Sequence, residues 1–245
     1  MSEERHLDWP GCFNVRDLGG LEAIGGRRTV RGALVRADSL QRLTGEGWQA
    51  LLDHGVRTVI DLRNEDECGP DSAPRPGRLT THHLPLDNIE ARDFWEDEWE
   101  SGPQFGTPLY YGAHILRFPD RSAGVLSAIA RAEPGCVAVH CAGGRDRTGQ
   151  IAMLALALAG VDAQVIGEDY ELSHQRLSAL SASLGQDDEA PQLTGYLRER
   201  GTNVAEIISD TLSSIDVEGQ LRTGGLGGDD LTALRERMLG PPTSQ

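Results

Sequence analysis

The chain has 245 residues, 38% of them hydrophobic, and a formal charge of −15 from 38 acidic and 23 basic side chains. That size and composition fit one folded domain over residues 1–245 with room for a sizeable core. The acidic balance argues against a general nucleic-acid or anionic-membrane surface, and the longest apolar run, Ile151 to Val161, is too short for a bilayer span of about 20 residues.

The chain starts at Met1 with a polar stretch that lacks an apolar signal region. Asn14-Val15-Arg16-Asp17-Leu18-Gly19-Gly20 follows and reads as a loop. Leu21 to Arg36 reads as a hairpin turning at Gly25-Gly26. Thr44 to His54 carries Trp48, Leu51 and Leu52 on one helical face and stops at Gly55. The apolar strand Val56 to Leu62 comes next and ends in Asp61-Leu62-Arg63. Cys68 to Arg78, broken by prolines, is a loop. Asp87 to Gly106 mixes acids with Phe94, Trp95, Trp99 and Phe105. It reads as an amphipathic helix, or as an aromatic rim for a substrate. Arg121 to Ala132 has helical periodicity, with Asp120 as its N-cap.

Cys136 to Val139 is a short apolar strand, and Arg147 to Ala159 is a helix apolar on nearly every side. Beyond it, Tyr170 to Leu184 reads as a helix, Gly185 to Ala190 as an acidic break, and Leu193 to Ile208 as a helical partner to the preceding segment. Asp229 to Leu239 is a last helix after a Gly-rich turn. This order predicts an α/β fold with a central, mostly parallel sheet flanked by helices.

Between that strand and helix lies His140-Cys141-Ala142-Gly143-Gly144-Arg145-Asp146-Arg147-Thr148-Gly149. A strand, tight loop and helix N-terminus place backbone N–H groups of Ala142, Gly143 and Gly144 around an anion site. The thiol of Cys141 would sit at its base, where those donors, the helix dipole and Arg147 all favour thiolate. Such a sulfur attacks phosphorus as a nucleophile. The planar fork of Arg147 suits two phosphoryl oxygens. Gly143, Gly144 and Gly149 allow close backbone approach, Thr148 offers its hydroxyl to the sulfur, and His140 braces the loop from the strand side. A leaving alkoxide or phenoxide needs a proton. Asp146 is the first choice for that acid, with Asp120 (read instead as a cap) and Asp87 as rivals.

The segment resembles the His-Cys-(five residues)-Arg-Thr signature of the cysteine-dependent phosphatases. The Asp before the Arg narrows the likeness to the bacterial and fungal tyrosine/serine phosphatase family. The Asn-x-Arg-Asp-hydrophobic-Gly-Gly stretch at Asn14, the Asp61-Leu62-Arg63 strand end and Asp169-Tyr170-x-x-Ser173 are similar to further motifs of that family. The resemblance implies the phosphotyrosine protein phosphatase-like fold with extra C-terminal helices, and an in-loop acid at Asp146. It also implies a helical lid, here about residues 174–208. The family usually has Lys where this chain has Arg145, but the chain contains no Lys at all. Arg145 would meet additional substrate charge. Arg16, Asp17, Asp61 and Arg63 are expected to support the loop.

The expected activity is therefore a metal-independent, cofactor-free phosphomonoesterase. Its expected role is that of a protein-tyrosine phosphatase, with phosphoserine/threonine activity in addition, acting on phosphorylated proteins or small phosphomonoesters. A phosphoinositide is the closest alternative, and a catalytically silent phosphoprotein binder or a rhodanese-like sulfurtransferase are alternatives of other classes. Cys12, Cys68, Cys136 and Cys141 show neither disulfide nor metal spacing, and a nucleophilic thiol belongs in a reducing cytoplasm.

Overall fold

Short apolar strands dictate the centre of the molecule. Leu34–Ala37 (β2), Val56–Asp61 (β3) and Cys136–His140 (β5) are almost wholly buried, the pattern of strands covered on both faces. The computed structural model describes residues 5–95 and 103–241. It joins these strands to Arg16–Asp17 (β1) and Thr80–His83 (β4) in a five-stranded sheet of order β1-β2-β5-β3-β4. Only the β1–β2 pair is antiparallel; the other neighbours are parallel. The expected α/β architecture holds.

Among the described residues the α-helices of seven or more residues are α1 (Gly45–Asp53), α2 (Tyr111–Arg117), α3 (Pro119–Arg131), α4 (Asp146–Leu158), α5 (Ala163–Leu184), α6 (Ala190–Glu199), α7 (Val204–Ser214), α8 (Val217–Thr223) and α9 (Gly228–Leu239). They cover the sheet on two sides. Along β5, Val137 and Val139 point to the layer containing Leu126 and Ile129 of α3 and Ile151 and Leu154 of α4. Cys136 and Ala138 point the other way, to Trp9, Trp48 and Leu51. This alternation is the period of two inherent in a strand. On β3 the alternation slips, because a register irregularity lies between Val56 and Thr58.

Several local expectations need correction. The Leu21–Arg36 segment is not one hairpin. The Gly25-Gly26 turn closes a small Glu22–Arg28 bridge, while β2 pairs with β1 and, in parallel, with β5. Arg16 and Asp17 lie on a strand rather than a loop. Asp120 is not an N-cap: Pro119 occupies the first turn and Phe118 stands at the cap. The helix expected from Tyr170 begins at Ala163, capped by Asp162, whose carboxylate accepts from the Gln164 N–H at 2.8 Å. Residues 193–208 fall in two helices, separated where Gly201 takes a φ of 69°.

Two of the aromatics expected at a substrate rim face the core instead. Phe94 and Trp95 are buried and pack on His114 and Phe118 or Tyr110. Trp99 lies outside the described residues.

Candidate active site

The site forms at the C-terminal edge of the parallel strands, where an open α/β sheet leaves room for a ligand. Strand β5 ends at His140 and α4 begins at Asp146, so five residues make the turn. The carbonyls from Ala142 to Asp146 face outward. Ala142 O accepts from the Ser39 N–H at 3.0 Å, Gly143 O from Asn14 Nδ2 at 2.9 Å and Gly144 O from Arg36 Nη2 at 2.8 Å. Arg145 O accepts from the same Arg36 nitrogen at 3.2 Å, and Asp146 O from the Tyr111 hydroxyl at 2.6 Å. With carbonyls held outward, the peptide N–H groups turn toward the hollow. The Gly144 N–H donates to Cys141 Sγ at 3.3 Å, which shows the sulfur at that focus.

Two glycines are required here. Gly144 has a φ of 67°, and a Cβ on it would strike the Ala37 carbonyl. A Cβ on Gly149 would lie 2.6 Å from the Tyr111 hydroxyl that holds the Asp146 carbonyl. Gly143 has no positive φ and faces Leu177 at ordinary contact distance.

Arg147 projects from the first turn of α4. Its Nη1 and Nη2 donate to the two carboxylate oxygens of Glu67, the second at 2.6 Å, and Nη1 also lies 3.3 Å from Asp87 Oδ2. Burial works against the Arg147 charge. The Glu67 hydrogen bonds outweigh it, helped by the charges of Cys141 and Asp87, and hold the guanidinium above its ordinary value. Glu67 is fixed in turn. Its carboxylate accepts from the Asn64 N–H at 2.9 Å, and its carbonyl from Arg63 Nη1 at 3.3 Å. Arg63 is pinned to Asp61 at 2.7 Å and to Ser39 Oγ at 3.1 Å. Asp61 and Arg63 are thereby linked to Arg147 through Glu67.

Asp87 is delivered by the segment after β4, which stays paired to the end of β3 through Leu84 N to Asp61 O and Leu86 N to Leu62 O. Oδ2 accepts from Asn64 Nδ2 at 3.1 Å, while Oδ1 is buried with no partner among the described residues. Burial raises the Asp87 carboxyl to about 6, against the opposing Arg147 charge and the Asn64 hydrogen bond. Asp146 differs. Its oxygens accept from Arg145 Nε at 3.1 and 3.2 Å and from the Tyr170 hydroxyl at 3.1 Å, and it pairs with neither Arg16 nor Arg63. Arg145 also reaches Glu189 at 3.4 Å. Burial opposes the Arg145 charge, but Asp146 prevails and raises it.

Behind the loop, Asp169 is a buried hub. It binds Arg5 at 2.7 Å, Arg16 at 3.1 Å and Arg36 at 2.8 Å. Burial alone would raise its carboxyl, but Arg16, Arg36 and Arg5 together hold it far below the carboxylate range. Arg36 passes that order to the loop carbonyls. Arg16 does so through Asn14 Oδ1 at 2.6 Å.

Other expected residues are placed differently. Asp17 binds the Gly19 and Gly32 N–H groups and His54, and none of these contacts brings it to the loop. The Thr148 hydroxyl is buried but unpartnered among the described residues, so the expected bond to sulfur is not made. His140 Nδ1 lies 3.4 Å from the Cys141 carbonyl, and burial lowers its imidazole to about 4, so it is neutral. Asp120 is exposed beside Arg121. Asn14, Arg36, Glu67, Asp169, Tyr111 and Tyr170 complete the site without having been singled out as site residues. Asn14, Asp169 and Tyr170 lay inside the family-like motifs, Glu67 in the Asn64-x-x-Glu67 capping pattern and Arg36 in a short apolar strand, while Tyr111 carried no local sign.

No group of three or more potential metal ligands occurs among the described residues, and no helix among them is long and apolar enough to cross a membrane.

Sequence comparison identifies the family. The model of the tyrosine phosphatase family matches residues 7–240. The chain is 32% identical over 180 residues to a Cupriavidus necator protein that carries a tyrosine-protein phosphatase name, covering 70% of this chain and 64% of that protein. It is 29% identical to a Nostoc commune tyrosine-protein phosphatase, covering 84% of this chain and 74% of the relative. The triple specificity protein phosphatase PtpB of Mycobacterium tuberculosis is 26% identical, with 94% and 98% covered. The solved structure of P. aeruginosa TpbA with pTyr aligns over 79% of this chain and 86% of that chain, at 18% identity and a TM-score of 0.39. With a thiol at the base of an outward-carbonyl loop and the family model spanning nearly its whole length, this chain belongs to the tyrosine phosphatase family.

Proposed function

We propose that this chain hydrolyses phosphotyrosine monoesters through a phosphocysteine intermediate. The observation that carries this reading is the run of carbonyls from Ala142 to Asp146 bonded outward, with Cys141 Sγ receiving an inward N–H. A phosphoryl group seated there meets the N–H groups of Ala142, Gly143 and Gly144, and the Arg147 guanidinium. Sγ attacks phosphorus, the P–O bond to the substrate breaks, and the leaving oxygen takes a proton. Water then attacks the phosphocysteine, loses a proton to a base, and expels Sγ as thiolate.

Two carboxylates are candidates for the proton transfers, Asp87 beside Arg147 and Asp146 at the start of α4. Asp87 is held protonated up to about pH 6 beside the phosphate-binding arginine, which suits the acid of the first step. Asp146, whose oxygens already accept hydrogen bonds, suits the base that takes the proton of water. Asp146 as acid and base in turn is the second reading, favoured by its place in the loop itself.

The test is phosphate release by reduced protein in EDTA. Phosphotyrosine peptide, phosphoserine/threonine peptide and phosphoinositide are compared, with Cys141→Ser as the blank. We expect release that vanishes in the variant and is fastest from phosphotyrosine. A folded, reduced protein that releases phosphate from none of the three would overturn the proposal.

A further inference from the structure

The catalytic loop opens onto a cleft of about 650 Å³ walled by the far half of α5 and the segment leading into α6. One wall is apolar: Leu177, Leu180 and Leu184 stand on successive turns of α5, and Leu177 lies against the Gly143 position. The other wall is acidic, formed by Asp187, Asp188 and Glu189.

The charge balance of this cleft runs opposite to that of the phosphate loop. Two arginines and four carboxylates line it. Both arginines are already matched. Arg42 binds the buried Asp38 at 2.7 Å, and Arg145 binds Asp146 and Glu189. Asp187 and Asp188 have no basic partner among the described residues; Asp188 only accepts the Ala190 N–H at 3.0 Å. An extra phosphate on the substrate would find its nearest cations occupied and two unmatched carboxylates beyond them.

We infer that the cleft selects phosphotyrosine segments that carry a cationic side chain and an apolar side chain beside the phosphorylated residue, and that it disfavours polyphosphorylated inositol head groups. The inference rests on the phosphatase reading above. The aryl phosphate enters the loop, the apolar neighbour lies on the leucine wall, and the Arg or Lys meets Asp187 and Asp188. Exposed ion pairs of this kind each contribute modestly. An attraction for Arg combined with a repulsion for Glu gives a preference of about ten-fold.

The experiment compares kcat/KM for matched phosphotyrosine peptides flanked by Leu with Arg or by Leu with Glu, beside a short-chain phosphatidylinositol bisphosphate and a simple aryl phosphate. The full chain is used as wild type, as Asp187→Asn/Asp188→Asn, and as Asp187→Arg/Asp188→Arg. The Arg-to-Glu ratio is the readout, since it does not depend on the fraction of active enzyme. We expect about ten in the wild type, below three in the Asn variant and inversion in the Arg variant, with the phosphoinositide slower than the Arg peptide by more than ten-fold. A flat ratio, a ratio unmoved by either variant, or a faster phosphoinositide would overturn the inference while aryl phosphate turnover still upheld the phosphatase. Failure to hydrolyse even the aryl phosphate would overturn the phosphatase reading itself.

Discussion

Replacing Asp87 by Asn should move stability and activity in opposite directions. The carboxyl is buried, one oxygen lacks a partner, and its folded-state value is about 6 against an ordinary 3.8. Its value is raised on folding, so ionised Asp87 opposes the fold. The penalty is absent below pH 3.8, grows between 3.8 and about 6, and is complete above. The full difference corresponds to about 3 kcal/mol, an upper figure because the denatured chain is not fully solvated. Asn is nearly isosteric and keeps an oxygen for Asn64 and Arg147. The variant should therefore be more stable at pH 7.5 by about 1–3 kcal/mol in urea unfolding, and equal to wild type near pH 3.5. Its kcat should fall by about two orders of magnitude, the usual scale of a lost general acid. The descending limb of the wild-type pH–rate profile near pH 6 should disappear. A variant less stable than wild type at pH 7.5 would refute the argument that burial outweighs Arg147 there. A kcat within ten-fold of wild type would return the acid to Asp146.

Other perturbations bear on the framework. Asp169→Asn strands three buried guanidinium groups and should cost about 3–5 kcal/mol in chemical denaturation. Because the Asp169 carboxyl is held far below its ordinary 3.8, its contribution is complete above that pH and lost only in stronger acid. The gap between wild type and variant should stay constant from pH 8 to about 5, and a gap that closes near neutrality would contradict the hub. Gly144→Ala forces a side chain into a left-handed backbone against Ala37. It should cost about 1–3 kcal/mol and lower kcat/KM by about 100-fold. Calorimetry with a phosphotyrosine assay checks both, and unimpaired turnover would show that the loop tolerates another conformation.

What could be read from the sequence was local. The strand, loop and helix around Cys141 lie within about two dozen consecutive residues, and an apolar strand followed by a Gly-rich turn and an apolar helix has few alternative structures. The pairings within the supporting network were hidden because the partners are remote: Arg36 and Asp169 are separated by 133 positions, and Arg147 and Glu67 by 80. An Arg inside the short apolar strand Leu34–Ala37 was the visible anomaly, since a charge there needs a buried partner. The Leu21–Arg36 reading failed for a related reason. Local turn chemistry marked Gly25-Gly26 correctly, but parallel pairing with β5, a hundred residues away, decided where β2 lies. At Asp120 the neighbouring Pro119 displaced the cap, a case of fixed backbone geometry outranking side-chain preference.

The grip of Glu67 and Asp87 on Arg147 has a directional consequence. Those carboxylates occupy Nη1 and one face of Nη2, so Nε and the remaining Nη2 proton form the edge left to meet a phosphoryl group. A free arginine would have to choose among its rotamers at the moment of binding. Here the plane of the guanidinium and the edge it presents are settled when the chain folds, so the ordering entropy is taken up by folding and not by each catalytic cycle.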